Sequence, residues 1–191
     1  MDRALLSYGT QVHQFAWWED GFTKEELNYL QGIAKNNTDA ALVGENNNNP
    51  NIRRSEVSWL SDDEKHSWVF DKISHIASSL NSEFFRFNLR HFSGDIQLSN
   101  YSEKNQGTYI WHQDFGASGV YRKLSLVLQL TDPQDYEGGE LQIFNGKTEI
   151  PMNKQRGLVF AFPSWTVHRV TPVTKGSRQT MVIWLAGEPF Q

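Results

Sequence analysis

His112 and Asp114, one residue apart, a distant His168 and, ten residues further on, Arg178 are residue types that can do chemistry together. Two histidines and one carboxylate hold one face of an octahedral ion such as iron(II), leaving three positions open for an organic cosubstrate and dioxygen. A guanidinium grips a carboxylate through two parallel hydrogen bonds, so Arg178 suits a dicarboxylate lying beside the metal. Thr180, two residues on and therefore on the same strand face, adds a hydroxyl donor. This set points to oxygenase chemistry. The His112-Gln113-Asp114 triplet alone is a weak signal, because a strand histidine more often serves a structural hydrogen bond. His168, on a late strand that can return to the same point, gives the triplet its weight.

Short strands must position these residues. From Phe84 onward the chain consists of β-branched and aromatic runs separated by Gly, Pro, Asn and Asp, and predicts strands at 84–88, 96–101, 108–112, 122–131, 140–144, 157–162, 167–171 and 179–186. In the fourth, Leu124, Leu126, Leu128 and Leu130 point one way and Ser125, Val127 and Gln129 the other. The greasy face should pack on helices and the mixed face should line a polar interior. Two helices precede the strands. Thr23-Lys24-Glu25-Glu26 has the form of a capping box and predicts a helix over 23–35. Ser61-Asp62-Asp63-Glu64 repeats the pattern before Val69, Ile73, Ile76, Ala77 and Leu80. The expected fold is mainly β with flanking helices: a jelly roll, or double-stranded β-helix, supported by N-terminal helices. We expect one domain over 1–191, with helical support and loops in 1–94 and the core in 95–188.

Composition narrows the function. With 191 residues, 38% of them apolar, seven tryptophans and twelve phenylalanines, the chain can bury one substantial core. A net charge of −4 gives no reason to expect a nucleic-acid partner. The absence of cysteine removes disulfides, thiolate nucleophiles and cysteine-ligated metals, so any metal site uses histidine and oxygen. No HExxH, P-loop or GxGxxG motif is present. Met1 to Tyr8 lacks a signal-peptide run, and nothing approaches the ~20 residues of a membrane span, so a soluble cytoplasmic protein without a membrane partner is expected. Oligomeric state leaves no mark on the sequence.

Several linked segments carry a family resemblance: Trp111-His112-Gln113-Asp114, Arg122-Lys123-Leu124-Ser125, Asp135-Tyr136-Glu137-Gly138-Gly139-Glu140-Leu141, Phe162-Pro163-Ser164, the run His168 to Arg178, and the closing Gly187-Glu188-Pro189-Phe190. Over about 95–191 the chain resembles iron(II)/2-oxoglutarate dioxygenases of the prolyl 4-hydroxylase superfamily, in particular their PKHD-type bacterial and phage branch. The resemblance implies that His112, Asp114 and His168 bind iron and that Arg178 anchors the remote carboxylate of 2-oxoglutarate. Tyr101 and Tyr109 match tyrosines before the HxD strand end, with Tyr101 favoured for a bond to the cosubstrate. Gln129 stands where relatives often carry a tyrosine, and Trp184 matches an aromatic residue near the iron. The implied reaction couples oxidative decarboxylation of 2-oxoglutarate, with dioxygen, to hydroxylation of an aliphatic C–H. Ascorbate dependence is a family expectation.

A peptidyl side chain, proline first, is the expected substrate. A free amino acid or small metabolite is the alternative, and a non-catalytic sensor of oxygen or 2-oxoglutarate is a third reading, against which the complete triad and arginine count. Trp59, Trp111 and Trp165 are candidate aromatic walls; Arg53, Arg54, Arg122 and Arg169 are candidates for a peptide backbone or an acidic group. Asn46 to Trp59 is a candidate lid.

Overall fold

Leu124, Leu126, Leu128 and Leu130 pack as their alternation predicts, with Leu27, Leu30 and Ala34 of one helix and Val69, Phe70, Ile73, Ile76, Ala77 and Leu80 of the other. The computed structural model describes residues 13–36, 39–40, 49–115 and 121–188. The strands are β1 (Ala16–Trp18), β2 (Asp39–Ala40), β3 (Arg53–Arg54), β4 (Glu56–Leu60), β5 (Leu89–Phe92), β6 (Ile96–Ser102), β7 (Thr108–His112), β8 (Arg122–Gln129), β9 (Tyr136–Gly138), β10 (Leu141–Phe144), β11 (Glu149–Pro151), β12 (Val159–Pro163), β13 (His168–Val170) and β14 (Val173–Gly187). The helices are α1 (Lys24–Lys35) and α2 (Ser67–Leu80).

The larger sheet runs β1-β12-β8-β14-β6-β4-β2, with β5 and β9 also paired to the long β14; the smaller runs β11-β10-β13-β7-β3. From β6 to β8 and from β12 to β14 the chain alternates between the sheets, which is the jelly-roll arrangement expected. The helices cover the outer face of the larger sheet. Val127, Phe160 and Phe162 on its inner face meet Leu141 and Ile143 of the smaller sheet, closing one end of the interior. No described helix is long and apolar enough to cross a membrane.

The capping box of α1 forms as read: Glu26 N donates to Thr23 Oγ1 at 3.3 Å and Thr23 N to Glu26 Oε2 at 2.7 Å. Lys72 Nζ of α2 reaches the same carboxylate at 2.8 Å. Burial opposes the charge of Glu26, but Lys72 and the Thr23 contacts outweigh it and hold the carboxyl below its usual range. Its contribution to stability is therefore present above the unfolded carboxyl pKa and lost as pH falls through the folded value. Thr23→Ala should lower unfolding stability by about 1 kcal/mol, read as a shift of the urea midpoint at constant slope, with metal affinity unchanged.

Two expectations need correction. The second helix begins at Ser67 with His66 as N-cap and no side-chain cap; Asp63 instead accepts from the Lys65 and His66 amides in a turn before it. Phe84, Phe85 and Phe87 suggested a strand over 84–88. Asn81–Phe85 is in fact a π-helical turn extending α2, stopped by Arg86 at φ 58, and the strand is Leu89–Phe92. Asn81 caps that turn by bonding both the amide and the carbonyl of Phe87. Residues before 95 also supply strands to both sheets. β3 pairs with β7 of the smaller sheet, and β4 with β6 of the larger. The described part of the lid candidate is thus largely strand from 53 onward, while Asn46–Asn48 lie outside the described residues.

Candidate metal centre

His112 closes β7 and His168 opens β13, directly opposite each other in register. Asp114 lies two residues past His112, its amide bonded to the Ser164 carbonyl at 2.8 Å. One ligand atom from each of the three lies within 4.8 Å of the others. Asp114 Oδ1 is 3.7 Å from His112 Nε2, and Oδ2 is 3.6 Å from His168 Nε2. Each imidazole turns its Nδ1 to a backbone carbonyl, His112 to Ile110 at 2.7 Å and His168 to Thr166 at 2.9 Å. That fixes Nδ1 as the N–H donor and leaves both Nε2 lone pairs for an ion.

Asp114 is held just as firmly. Ser125 Oγ donates to Oδ2 at 2.9 Å and in turn lies 3.0 Å from Ser164 Oγ. Burial works against the carboxylate, yet His168, His112, Trp184 and Ser125 together hold its pKa below the usual range. Burial, reinforced by neighbouring His168 and only partly offset by Asp114, pushes His112 down to about 3, so a neutral imidazole faces the site. A carboxylate between two imidazoles whose Nδ1 atoms are turned to backbone carbonyls fits a divalent ion such as Fe(II) with open positions.

Alternation along β14 places Arg178, Thr180, Val182 and Trp184 on the inner face, beside Tyr101, Ser99 and Gln97 of β6 and Gln129, Val127 and Ser125 of β8. Arg178 is 1% exposed. Its Nη2 donates to Gln129 Oε1 at 3.1 Å, its guanidinium lies 5.7 Å from the Tyr101 ring centre, and it forms no ion pair among the described residues. Burial lowers its pKa, opposed by Tyr136 and Tyr101, without removing its charge. A buried unpaired cation is costly, and this one fits the distal carboxylate of a dicarboxylate.

Tyr136 is the residue that sequence reasoning missed. Its buried hydroxyl makes no hydrogen bond of ordinary geometry among the described residues, and burial raises its pKa against the pull of Arg178, so it stays a protonated donor. Gly139, at φ +58, lets Tyr136 and Arg178 converge; a Cβ there would sit 3.2 Å from Arg178 Cδ and 3.3 Å from Tyr136 Cε2. The signal was present in Asp135 to Leu141, where two glycines beside a tyrosine imply close approach of backbone to something.

The remaining candidates divide sharply. Tyr109 stacks on His112 with ring centres 3.4 Å apart, because β7 carries one extra residue against β13 between them. Burial pushes the Tyr109 hydroxyl up to about 12. Trp184 is buried near Asp114, with the Arg122 guanidinium 4.1 Å from its ring centre and the half-exposed Trp59 at 6.5 Å. Trp111 is not brought to the site. It faces away from His112 and packs under Arg169 and against Phe144, on the outside of the smaller sheet. Trp165 packs on Phe87. Arg54 is occupied by the carbonyls of Pro50, Asn105 and Gln106, and Arg169 by Gln142 and Glu149.

Comparison with known proteins agrees with this geometry. Residues 96–186 match the family model of the 2OG-Fe(II) oxygenase superfamily. A PKHD-type hydroxylase of Gloeothece citriformis is 42% identical over 79 residues, covering 41% of this chain and 36% of that protein. One from Alteromonas mediterranea is 37% identical over 95 residues, covering 46% and 41%. The chain thus spans less than half the length of these curated relatives. Among solved structures, a Pseudomonas putida prolyl-4-hydroxylase superposes with TM-score 0.72 at 18% identity over 93% of this chain and 94% of that one. A Trichoplax adhaerens prolyl hydroxylase, in complex with a hypoxia inducible factor peptide fragment, gives 0.76 at 15% identity over 91% and 83%. Both likenesses confirm the fold.

Proposed function

We propose, on the premise that residues 96–186 belong to the 2OG-Fe(II) oxygenase superfamily and its PKHD-type branch, that the protein hydroxylates an aliphatic C–H, on a peptidyl proline. When bound, Fe(II), 2-oxoglutarate and dioxygen supply the oxidising power, with succinate and carbon dioxide as by-products. His112, Asp114 and His168 hold the metal. Arg178 receives the distal carboxylate, Tyr136 and Thr180 flank it with hydroxyls, and Gln129 braces the guanidinium through its amide oxygen. Tyr101 walls the same end. Tyr109, Trp184 and Trp59 form the apolar surface that orients the substrate and keeps water from the metal face. The observation that carries this reading is a fully buried arginine without an acidic partner among the described residues, on the same inner face as a His-Asp-His cluster.

Prolyl specificity draws on the two prolyl hydroxylases whose fold the chain shares. Incubation with Fe(II) and 2-oxoglutarate and a library of prolyl peptides, with free L-proline alongside, tests it by mass spectrometry. A peptide gaining one oxygen with matching succinate is expected. Oxygen transfer to the free amino acid alone would move the substrate to the small-molecule class; repeating the assay with ascorbate added checks that dependence. Tyr136→Phe should weaken 2-oxoglutarate binding roughly 10- to 100-fold, the loss of one hydrogen bond to a charged group, measured by calorimetry, with Fe(II) affinity unchanged.

A further inference from the structure

Arg53 is 7% exposed and, like Arg178, has no ion pair among the described residues. It sits at the edge of the smaller sheet opposite Tyr109 and spans the interior to the larger one. Its Nε donates to Ser55 Oγ at 2.8 Å, Nη1 to Gln97 Oε1 at 3.4 Å and Nη2 to Ser99 Oγ at 3.2 Å. All three acceptors are neutral, and two of its five N–H donors are left over. The guanidinium lies 4.9 Å from the Tyr109 ring centre, and that ring is stacked on His112, so one aromatic layer separates this cation from the metal cradle. Arg122 approaches from another strand, stacked on Trp184 and held by Ser93 Oγ at 3.2 Å, again without an acidic partner among the described residues.

Charge balance makes this arrangement informative. A divalent metal, Asp114, the 2-oxoglutarate dianion and Arg178 together are neutral. Among the described residues, Arg53 and the half-buried Arg122 then add two positive charges with no acidic partner. A purely structural strut between the sheets would be less costly as a neutral side chain or a paired ion, and a carboxylate fits a guanidinium fork with two free donors. We propose that the substrate of this site carries a carboxylate, bound by Arg53 with Arg122 beside it, which sets the reacting carbon over the metal against Tyr109 and Trp184. This rests on the oxygenase reading and adds a substrate class to it: an acidic molecule, through either a free α-carboxylate or an acidic side chain near the target residue.

The test uses the full chain loaded with Mn(II) and saturating 2-oxoglutarate, and reads paramagnetic broadening of probe protons by NMR. Acetate should broaden saturably and acetamide should not, and Arg53→Gln should reduce the acetate effect at least 10-fold while Arg53→Lys retains part of it. No saturable broadening by acetate, equal broadening by acetamide, or full retention in Arg53→Gln would overturn the proposal. Two larger pairs identify the source: L-proline against L-prolinamide, and a capped Ala-Pro-Glu-Ala peptide against its Gln counterpart. A preference for the carboxylate member in one pair assigns the source, and no preference in either overturns the proposal. The Fe(II)–2-oxoglutarate absorption band, recorded on the same variants, reads the metal and Arg178. Its loss in the wild type would mark failure of the oxygenase reading, while its persistence with failed carboxylate binding marks failure of this inference alone.

Discussion

Asp114→Ala is expected to weaken Fe(II) binding by more than about 100-fold and to abolish 2-oxoglutarate turnover. Losing a hydrogen-bonding partner of a ligand typically costs roughly 10- to 100-fold in metal affinity, and losing the ligand itself must exceed that. Among the described residues Asp114 is also the only negative charge in the cradle, placed between both imidazoles. Ser125→Ala provides the graded comparison: it deletes the 2.9 Å bond to Oδ2 and leaves the ligand in place, so about a 10-fold loss is expected. Competition against a fluorescent chelator measures both. Equal affinities of Asp114→Ala and wild type would remove the carboxylate from the metal site.

Arg178→Met carries the second large effect. Removing one partner of a buried charge-assisted pair costs about 2 to 4 kcal/mol, roughly 30- to 1,000-fold in affinity, and calorimetric titration with 2-oxoglutarate should show a loss in that range. The apo protein should be as stable as wild type or more so, because methionine relieves a buried charge that has no ion pair among the described residues, at similar volume. A structural arginine would behave in the opposite way, lowering the unfolding midpoint and sparing the cosubstrate. Denaturant unfolding of the metal-free variant separates the two.

The triad was legible because strand alternation constrains it: His112 and Asp114 had to share a side, and His168 had to open a facing strand. Arg178 was legible as a buried residue because Thr180, Val182 and Trp184 continue its face in a strongly apolar strand. The same alternation, applied to Trp111, would have turned it away from His112 and onto the outer surface where it is found. Tyr109 was harder. Three residues from His112, it should face the other way, and only the bulge opposite His168 and Val170 brings the two rings together; no residue type in that stretch announces an extra residue. β3 and β4 escaped notice because Arg53, Arg54, Glu56 and Ser58 read as polar surface, although Arg53 is buried. Long-range pairing with β7 and β6 made these segments strands, and no local pattern encodes such pairing. Aromatic content misled in the other direction at Phe84 to Phe87, where Asn81 capping and the left-handed Arg86 keep the chain helical for one more turn.

The measurement that bears most directly on the central claim is an anaerobic titration of the apoprotein with Fe(II) and then 2-oxoglutarate, following the weak visible metal-to-ligand charge-transfer band. The cradle of His112, Asp114 and His168 with Arg178 behind it predicts a band that saturates with both components in the wild type and needs far more 2-oxoglutarate in Arg178→Met. Absence of the band at any Fe(II) and 2-oxoglutarate concentration would contradict the oxygenase assignment and leave the two histidines as structural residues.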